Sequence, residues 1–136
     1  MKKKPNDKIS LLVQFIKFGF VGISNTIITA IIIWLLLKML GTSNLVANIS
    51  GYAVGLINSF IWNRKWTFES KLKVKDTVFK FMLTFVLSYL LQLGVLFLLL
   101  NQLLIDAYWC HLQAMVIYTV ANFSLNKYYT FKTGKK

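Results

Sequence analysis

Between Phe18 and Leu37 the chain carries no charged residue, and three further apolar stretches of similar length follow it, from about Asn44 to Trp62, Phe81 to about Leu104, and about Ala107 to Asn126. A membrane-spanning helix needs roughly 20 apolar residues to cross a hydrocarbon core about 30 Å thick, so the pattern predicts four spans. The only proline, Pro5, precedes the first of them, and nothing inside the spans forces a kink. Charged residues gather in the gaps between these stretches.

The pattern is also written twice. Residues 63 to 68 read Asn-Arg-Lys-Trp-Thr-Phe and residues 126 to 131 read Asn-Lys-Tyr-Tyr-Thr-Phe, an offset of 63 that aligns Phe60 with Phe123, Lys17-Phe18 with Lys80-Phe81, and Leu35-Leu36-Leu37 with Leu98-Leu99-Leu100. Internal repeats decide architecture. Each unit is two apolar runs closed by a basic and aromatic cap, repeat 1 at about 15–68 and repeat 2 at about 78–131, within a single transmembrane domain over 1–136 that has cytoplasmic tails at 1–14 and 132–136. The predicted class is an all-α membrane protein of four transmembrane helices built from two parallel two-helix repeats.

Charge supplies the direction. Lys2, Lys3, Lys4, Lys8 and Lys17 precede the first span, Arg64, Lys65, Lys71, Lys73, Lys75 and Lys80 lie between the second and third, and Lys127, Lys132, Lys135 and Lys136 follow the fourth; Lys38 alone falls on the other side. Positive charge marks the cytoplasmic face. Both termini and the middle loop are therefore expected in the cytoplasm, and the two repeats run parallel rather than inverted. The Met1-Lys2-Lys3-Lys4 opening imitates a signal peptide, but the following run is too long and lacks a small-x-small cleavage site, so it is read as the first span.

Composition agrees with a bilayer: 57% hydrophobic and 15% aromatic residues, with a mean hydropathy of +0.60. The net charge of +12 would point to nucleic acid in a soluble protein; placed between spans it points to anionic lipid headgroups instead. No nucleic-acid partner is expected. Cys110 is the only cysteine, and neither an internal disulfide, a metal site nor a cofactor is expected.

Within the spans, Ala47, Gly51, Gly55 and Ser59 recur every four residues, a small-residue stripe for close helix packing against the first span or a second copy of the chain. Asn48 lies beside it. Ser24, Asn25, Thr26, Ser88, Gln92, His111, Gln113, Thr119 and Asn122 are among the polar residues of the remaining spans, expected to face the interior because lipid cannot satisfy them. Asn25, Asn48, Gln92 and Asn122 are the candidates for a polar substrate path.

The caps are the candidate site. Arg64, Lys127, Lys17 and Lys80, with amide donors from Asn63 and Asn126, suit a phosphate at headgroup level, arginine binding bidentately and lysine as a point charge. Folding the duplicate is expected to gather the four cations. Trp62, Trp66, Phe68, Tyr128, Tyr129 and Phe131 are placed to frame an entry or stack on a sugar, with Trp66 and Tyr129 the named sugar contacts. No acidic residue lies within a span, which disfavours a proton-coupled cation exporter. His111, the only histidine, sits near the outer surface. No nucleophile–base pair, catalytic carboxylate pair or phosphate-cradling glycine loop is present in the sequence, so the protein is read as not an enzyme, with no catalytic residue.

The start Phe15-Ile16-Lys17-Phe18-Gly19-Phe20-Val21-Gly22, the cap Trp62-Asn63-Arg64-Lys65-Trp66-Thr67-Phe68 and its echo Asn122-Phe123-Ser124-Leu125-Asn126-Lys127-Tyr128-Tyr129-Thr130-Phe131 resemble the GtrA family, from about Phe15 to Phe131. The resemblance implies movement of a polyprenyl-phosphate-linked monosaccharide, such as one on undecaprenyl phosphate, across the bacterial cytoplasmic membrane for glycosylation of surface polymers, teichoic acid among them. The family tends to carry asparagine four residues before the cap Asn-Arg, as Asn122 stands before Asn126. The first repeat departs from that pattern, with Ser59 in that place and Asn58 one step earlier, and the second has Lys127 where arginine is frequent. Arg64 is thus the expected principal phosphate contact. The alternative is a non-catalytic subunit that anchors a membrane glycosyltransferase of the same pathway. A homodimer is plausible for so thin a bundle.

Overall fold

A computed structural model describes residues 7–102 and 106–132. The end of the predicted third span near Leu104, and the tail residues 1–6 and 133–136, lie outside the described residues. Four α-helices are present: α1 (Asp7–Lys38), α2 (Asn44–Trp62), α3 (Val74–Gln102) and α4 (Ala107–Leu125). At 1.5 Å per residue α1 is about 48 Å long, longer than the hydrocarbon core it would cross. It takes in residues 7–14, which the sequence pattern assigns to the N-terminal tail; no helix-breaking residue stands between Asp7 and Phe18, so the first span continues outward as one rod.

Gly41, at φ +60, turns the chain after α1 in the left-handed conformation that suits glycine. Thr42 secures the turn by donating Oγ1 to the Leu36 carbonyl at 3.1 Å. Ser43 then caps α2, its Oγ accepting from the Val46 amide at 3.3 Å.

Among the described residues three helical stretches are long and apolar enough to cross a membrane: Ser10–Lys38, Asn44–Thr67 and Val74–Asn101. The fourth predicted span is a helix at the predicted place; at 19 residues it is as long as α2 and shorter than α1 and α3, and it carries His111, Gln113, Thr119 and Asn122. The chain falls into two compact units, Met1–Glu69 and Ser70–Lys136, dividing where the sequence repeat divides. In the first unit α1 packs along α2; in the second α3 packs along α4.

The small-residue stripe of α2 faces α1. Ala47, Gly51 and Gly55 are buried, and a Cβ on Gly55 would lie 2.5 Å from Thr29 Oγ1, one on Gly51 2.6 Å from Ile33 Cγ1. That closeness lets Thr29 Oγ1 donate to the Gly51 carbonyl at 3.2 Å, and lets Asn58 Nδ2 reach Asn25 Oδ1 at 3.2 Å. Ser59, fourth in the stripe, is half-buried and serves the cap instead.

Not every polar residue of the spans turns inward as expected. Ser24, Asn25, Ser88, Gln92, Thr119 and Asn122 are buried or half-buried, whereas Thr26, Asn48, His111 and Gln113 are exposed. Thr26 needs no partner helix, because its Oγ1 donates to the Gly22 carbonyl of its own helix at 3.2 Å. Asn48 and His111 occupy equivalent positions of the two repeats.

Candidate functional site: two basic and aromatic caps

Each unit ends in the same unusual element. The second helix of the pair widens into a single π-helical turn, Asn63–Thr67 in the first unit and Asn126–Thr130 in the second, closed by i→i+5 bonds from the Phe68 amide to the Asn63 carbonyl at 2.9 Å and from the Phe131 amide to the Asn126 carbonyl at 2.8 Å. Such turns are rare and cluster at functional sites. Here the turn swings a phenylalanine back onto the first helix of its pair: Phe68 meets Phe18 with ring centroids 6.3 Å apart, and Phe131 meets Phe81 at 6.2 Å. Phe68 and Phe131 are buried by this contact. They lock the cap, which removes them from the aromatic frame of an entry that the sequence suggests.

The asparagines that open the turns are also locked. Asn63 and Asn126 are each 1% exposed. Asn63 Nδ2 donates to Ser59 Oγ at 3.1 Å, and Asn126 Nδ2 donates to the Asn122 carbonyl at 2.9 Å and to Asn122 Oδ1. Their amide donors are spent on the preceding helical turn instead of standing at a rim, while both Oδ1 atoms are buried without a hydrogen-bond partner. A polar atom left so costs about 1–3 kcal/mol, and the same cost is carried at the same place in both units. Asn122 is buried and donates onward to Tyr118 Oη at 2.8 Å.

The cations flank these turns. Lys17 Nζ donates to the Trp66 carbonyl at 3.1 Å, lies 5.3 Å from the centroid of the Trp66 ring and stands 3.5 Å from Glu69 Oε1. Lys80 repeats the cation–π part of this, 5.3 Å over the Tyr129 ring. Lys127 sits over Phe123 at 5.9 Å and Tyr128 at 5.7 Å. Arg64 and Lys127, at matched positions on the turns, are half-buried. Trp62 and Trp66 meet edge to face at 6.3 Å and, with Phe20, Val21 and Ser24, line a cavity of about 280 Å³. Within each unit the structure therefore brings together Lys17, Asn63, Arg64 and Trp66, and Lys80, Asn126, Lys127 and Tyr129. Asn25 belongs to the interior of the first unit and half-buried Gln92 to α3, away from either cap in sequence; Asn48 lies on an exposed face.

Four contributors escape a reading by composition. Thr84 and Thr130, both fully buried, share a hydrogen bond of 2.9 Å that ties α3 to the second turn. Thr67 occupies the place of Thr130, but Val21 occupies the place of Thr84, and Thr67 Oγ1 is buried without a partner. Glu69 takes φ +48, a conformation costing a non-glycine residue about 1–2 kcal/mol. The repeat offers a signal for the difference: at the offset of 63, Val21 falls on Thr84 and Glu69 on Lys132.

Residues 17–131 match the family described as GtrA/DPMS, transmembrane domain. The cell wall teichoic acid glycosylation protein GtcA of Listeria monocytogenes serovar 1/2a is 28% identical over 131 residues, covering 93% of this chain and 87% of that protein; its counterpart in Listeria innocua serovar 6a shows the same identity over the same length. An uncharacterized membrane protein of Bacillus subtilis (strain 168), YngA, is 37% identical over 84 residues, 62% of this chain and 54% of that protein, so the match spans about half the length of that relative.

Proposed function

The chain belongs to the GtrA/DPMS transmembrane-domain family, and from that premise we propose that it moves a polyprenyl-phosphate-linked monosaccharide across the bacterial cytoplasmic membrane for glycosylation of a cell-surface polymer, teichoic acid being the polymer suggested by the names of its Listeria relatives. The observation that carries this reading is the double occurrence of one cap: a lysine 5.3 Å over an aromatic ring in each unit, beside a half-buried Arg64 or Lys127 on a π-helical turn. Orientation in the membrane asks only for positive charge. It does not ask for asparagine, threonine and phenylalanine at matched spacing around that charge.

In this reading each cap faces the cytoplasm and offers a phosphate site at headgroup level. In the first unit Arg64 binds bidentately; in the second Lys80 and Lys127 act as point charges whose aromatic neighbours pre-position them. Lys17 is partly neutralised by Glu69 and contributes less. The polyprenyl tail stays in lipid against the apolar helices, so only the sugar has to pass, along half-buried polar side chains such as Asn25 in the first unit or Gln92 in the second. Asp7 and Asp76 stand in the first turns of α1 and α3, and no acid lies in the apolar stretches that follow, among the described residues, so in this reading passage is facilitated and driven by supply and consumption of the lipid-linked sugar.

The test is a deletion strain complemented by the wild-type chain or by Arg64→Gln combined with Lys127→Gln. Loss of surface-polymer glycosylation, with build-up of the lipid-linked precursor and undiminished glycosyltransferase activity, is the expected result. Loss of the transferase itself would mean that the chain anchors that enzyme and carries nothing. Purified protein in vesicles should move a labelled lipid-linked sugar without a proton gradient.

A further inference from the structure

The first cap holds a pocket that shares only Lys17 with the phosphate site. Ser10, Gln14 and Lys17, spaced along one face of α1, form one wall; Thr67 and Glu69, at the end of the first π-helical turn, form another, around a volume of about 300 Å³. Three observations set it apart from an anion site. Its charges cancel, since Lys17 Nζ stands 3.5 Å from Glu69 Oε1. The rest of its polar lining is neutral, two hydroxyls and a carboxamide. Thr67 is 1% exposed and its Oγ1 has no partner, so the pocket has a buried hydroxyl that a ligand can complete.

We propose that this pocket binds the sugar ring of the lipid-linked ligand, and so sets which sugar is accepted. The proposal rests on the reading of the chain as a carrier of such a ligand. A hexose is neutral and presents adjacent hydroxyls that both donate and accept. The Glu69 carboxylate accepts from one or two of them, Lys17 and Gln14 donate, and Thr67 Oγ1 gains the partner it lacks. A second phosphate is a poor occupant because Glu69 repels it. The second unit does not repeat the arrangement: Lys132 stands where the first unit has Glu69, and Thr130 Oγ1 is already bonded to Thr84.

Two substitutions separate recognition from folding. Thr67→Val deletes a buried hydroxyl that has no protein partner, so a purely structural residue would leave the unfolding temperature equal or raised. Glu69→Gln keeps the shape and removes the charge. The full chain in lipid nanodiscs is titrated with undecaprenyl phosphate bearing no sugar and with the same lipid bearing glucose, galactose or N-acetylglucosamine. Wild type is expected to bind at least one glycosylated lipid more tightly than the bare one. Each substitution should weaken that lipid about tenfold relative to the bare one, the loss of one good hydrogen bond, with binding of the bare lipid unchanged in Thr67→Val and no weaker in Glu69→Gln, which releases Lys17, and with Thr67→Val no less heat-stable. The proposal is overturned if wild type has no preference for any glycosylated lipid, if the preference survives both substitutions, or if both lipids weaken in parallel. Competition by phosphatidylethanolamine vesicles would overturn it in favour of a zwitterionic headgroup. Failure of the underlying carrier reading looks different: neither lipid binds, and Arg64→Gln changes nothing.

Discussion

Phe18 meets Phe68 at 6.3 Å in the first unit and Phe81 meets Phe131 at 6.2 Å in the second, and Lys17 and Lys80 lie at the same 5.3 Å over their aromatic rings, whereas the helix shafts below these caps have little in common. α1 and α2 approach through Gly51 and Gly55 and are joined by Thr29 and Asn58. In the second unit Ala114 and Tyr118 occupy the glycine positions. Two helices can be held together by many combinations of side chains, provided the volumes fit. The π-helical cap tolerates fewer, because it needs an opening asparagine, a threonine facing the first helix and a phenylalanine to close it. Where two copies of one sequence drift apart in the part that packs and agree in the part that carries a buried unpartnered carbonyl, the shared geometry serves something that packing alone does not require.

The largest test of that likeness is the closing phenylalanine. Phe68→Ala and Phe131→Ala should each destabilise by about 3–5 kcal/mol, as buried phenylalanines do, read as loss of thermal stability in detergent and of yield in the membrane. Comparable losses in the two units would confirm that the caps are structurally equivalent; a loss in one alone would break the comparison.

The shafts should respond differently from the caps. Gly55→Ala forces a Cβ to within 2.5 Å of Thr29 Oγ1, which has to move and give up its bond to the Gly51 carbonyl, so a loss of about 1–3 kcal/mol is expected. Gly94, in the interior of α3, has open space where a Cβ would stand, with nothing within 4 Å of that point. Gly94→Ala should therefore be neutral or stabilise by up to about 1 kcal/mol through helix propensity. Thermal unfolding of the two variants side by side checks the contrast.

The element plan is legible in the sequence because it rests on gross hydropathy. The charge-free run from Phe18 and the stripe of small residues mark the bodies of α1 and α2, although α1 begins earlier, at Asp7. The π-helical turns are not legible, since Asn-Arg-Lys-Trp-Thr has no pattern that distinguishes an i→i+5 bond from the ordinary i→i+4 one; only tertiary contact of Phe68 with Phe18 selects it. For the same reason Asn63 and Asn126 read as rim donors, and burial turns them into structural members of the turn. The repeat anticipates the positions of Lys17, Lys80, Arg64 and Lys127 beside these turns. It does not anticipate the Glu69 partner of Lys17, because the place of Glu69 in the second copy belongs to Lys132.

A smaller effect tests the one hydrogen bond that the units do not share. Thr130→Val leaves the Thr84 hydroxyl buried without its partner and should cost about 1–2 kcal/mol, while Thr67→Val should cost nothing. The reverse experiment is more informative. Val21→Thr places in the first unit the residue that the second has at Thr84, within a helix that already faces Thr67, and a hydrogen bond like the 2.9 Å one between Thr84 and Thr130 should raise stability by about 0.5–1 kcal/mol. If Thr67 Oγ1 is reserved for a sugar, that same variant should bind the glycosylated lipid less tightly though it is the more stable protein, a trade of function for stability common at binding sites. A variant that is stabilised and keeps its full sugar affinity would reduce the Val21–Thr84 difference to drift in packing.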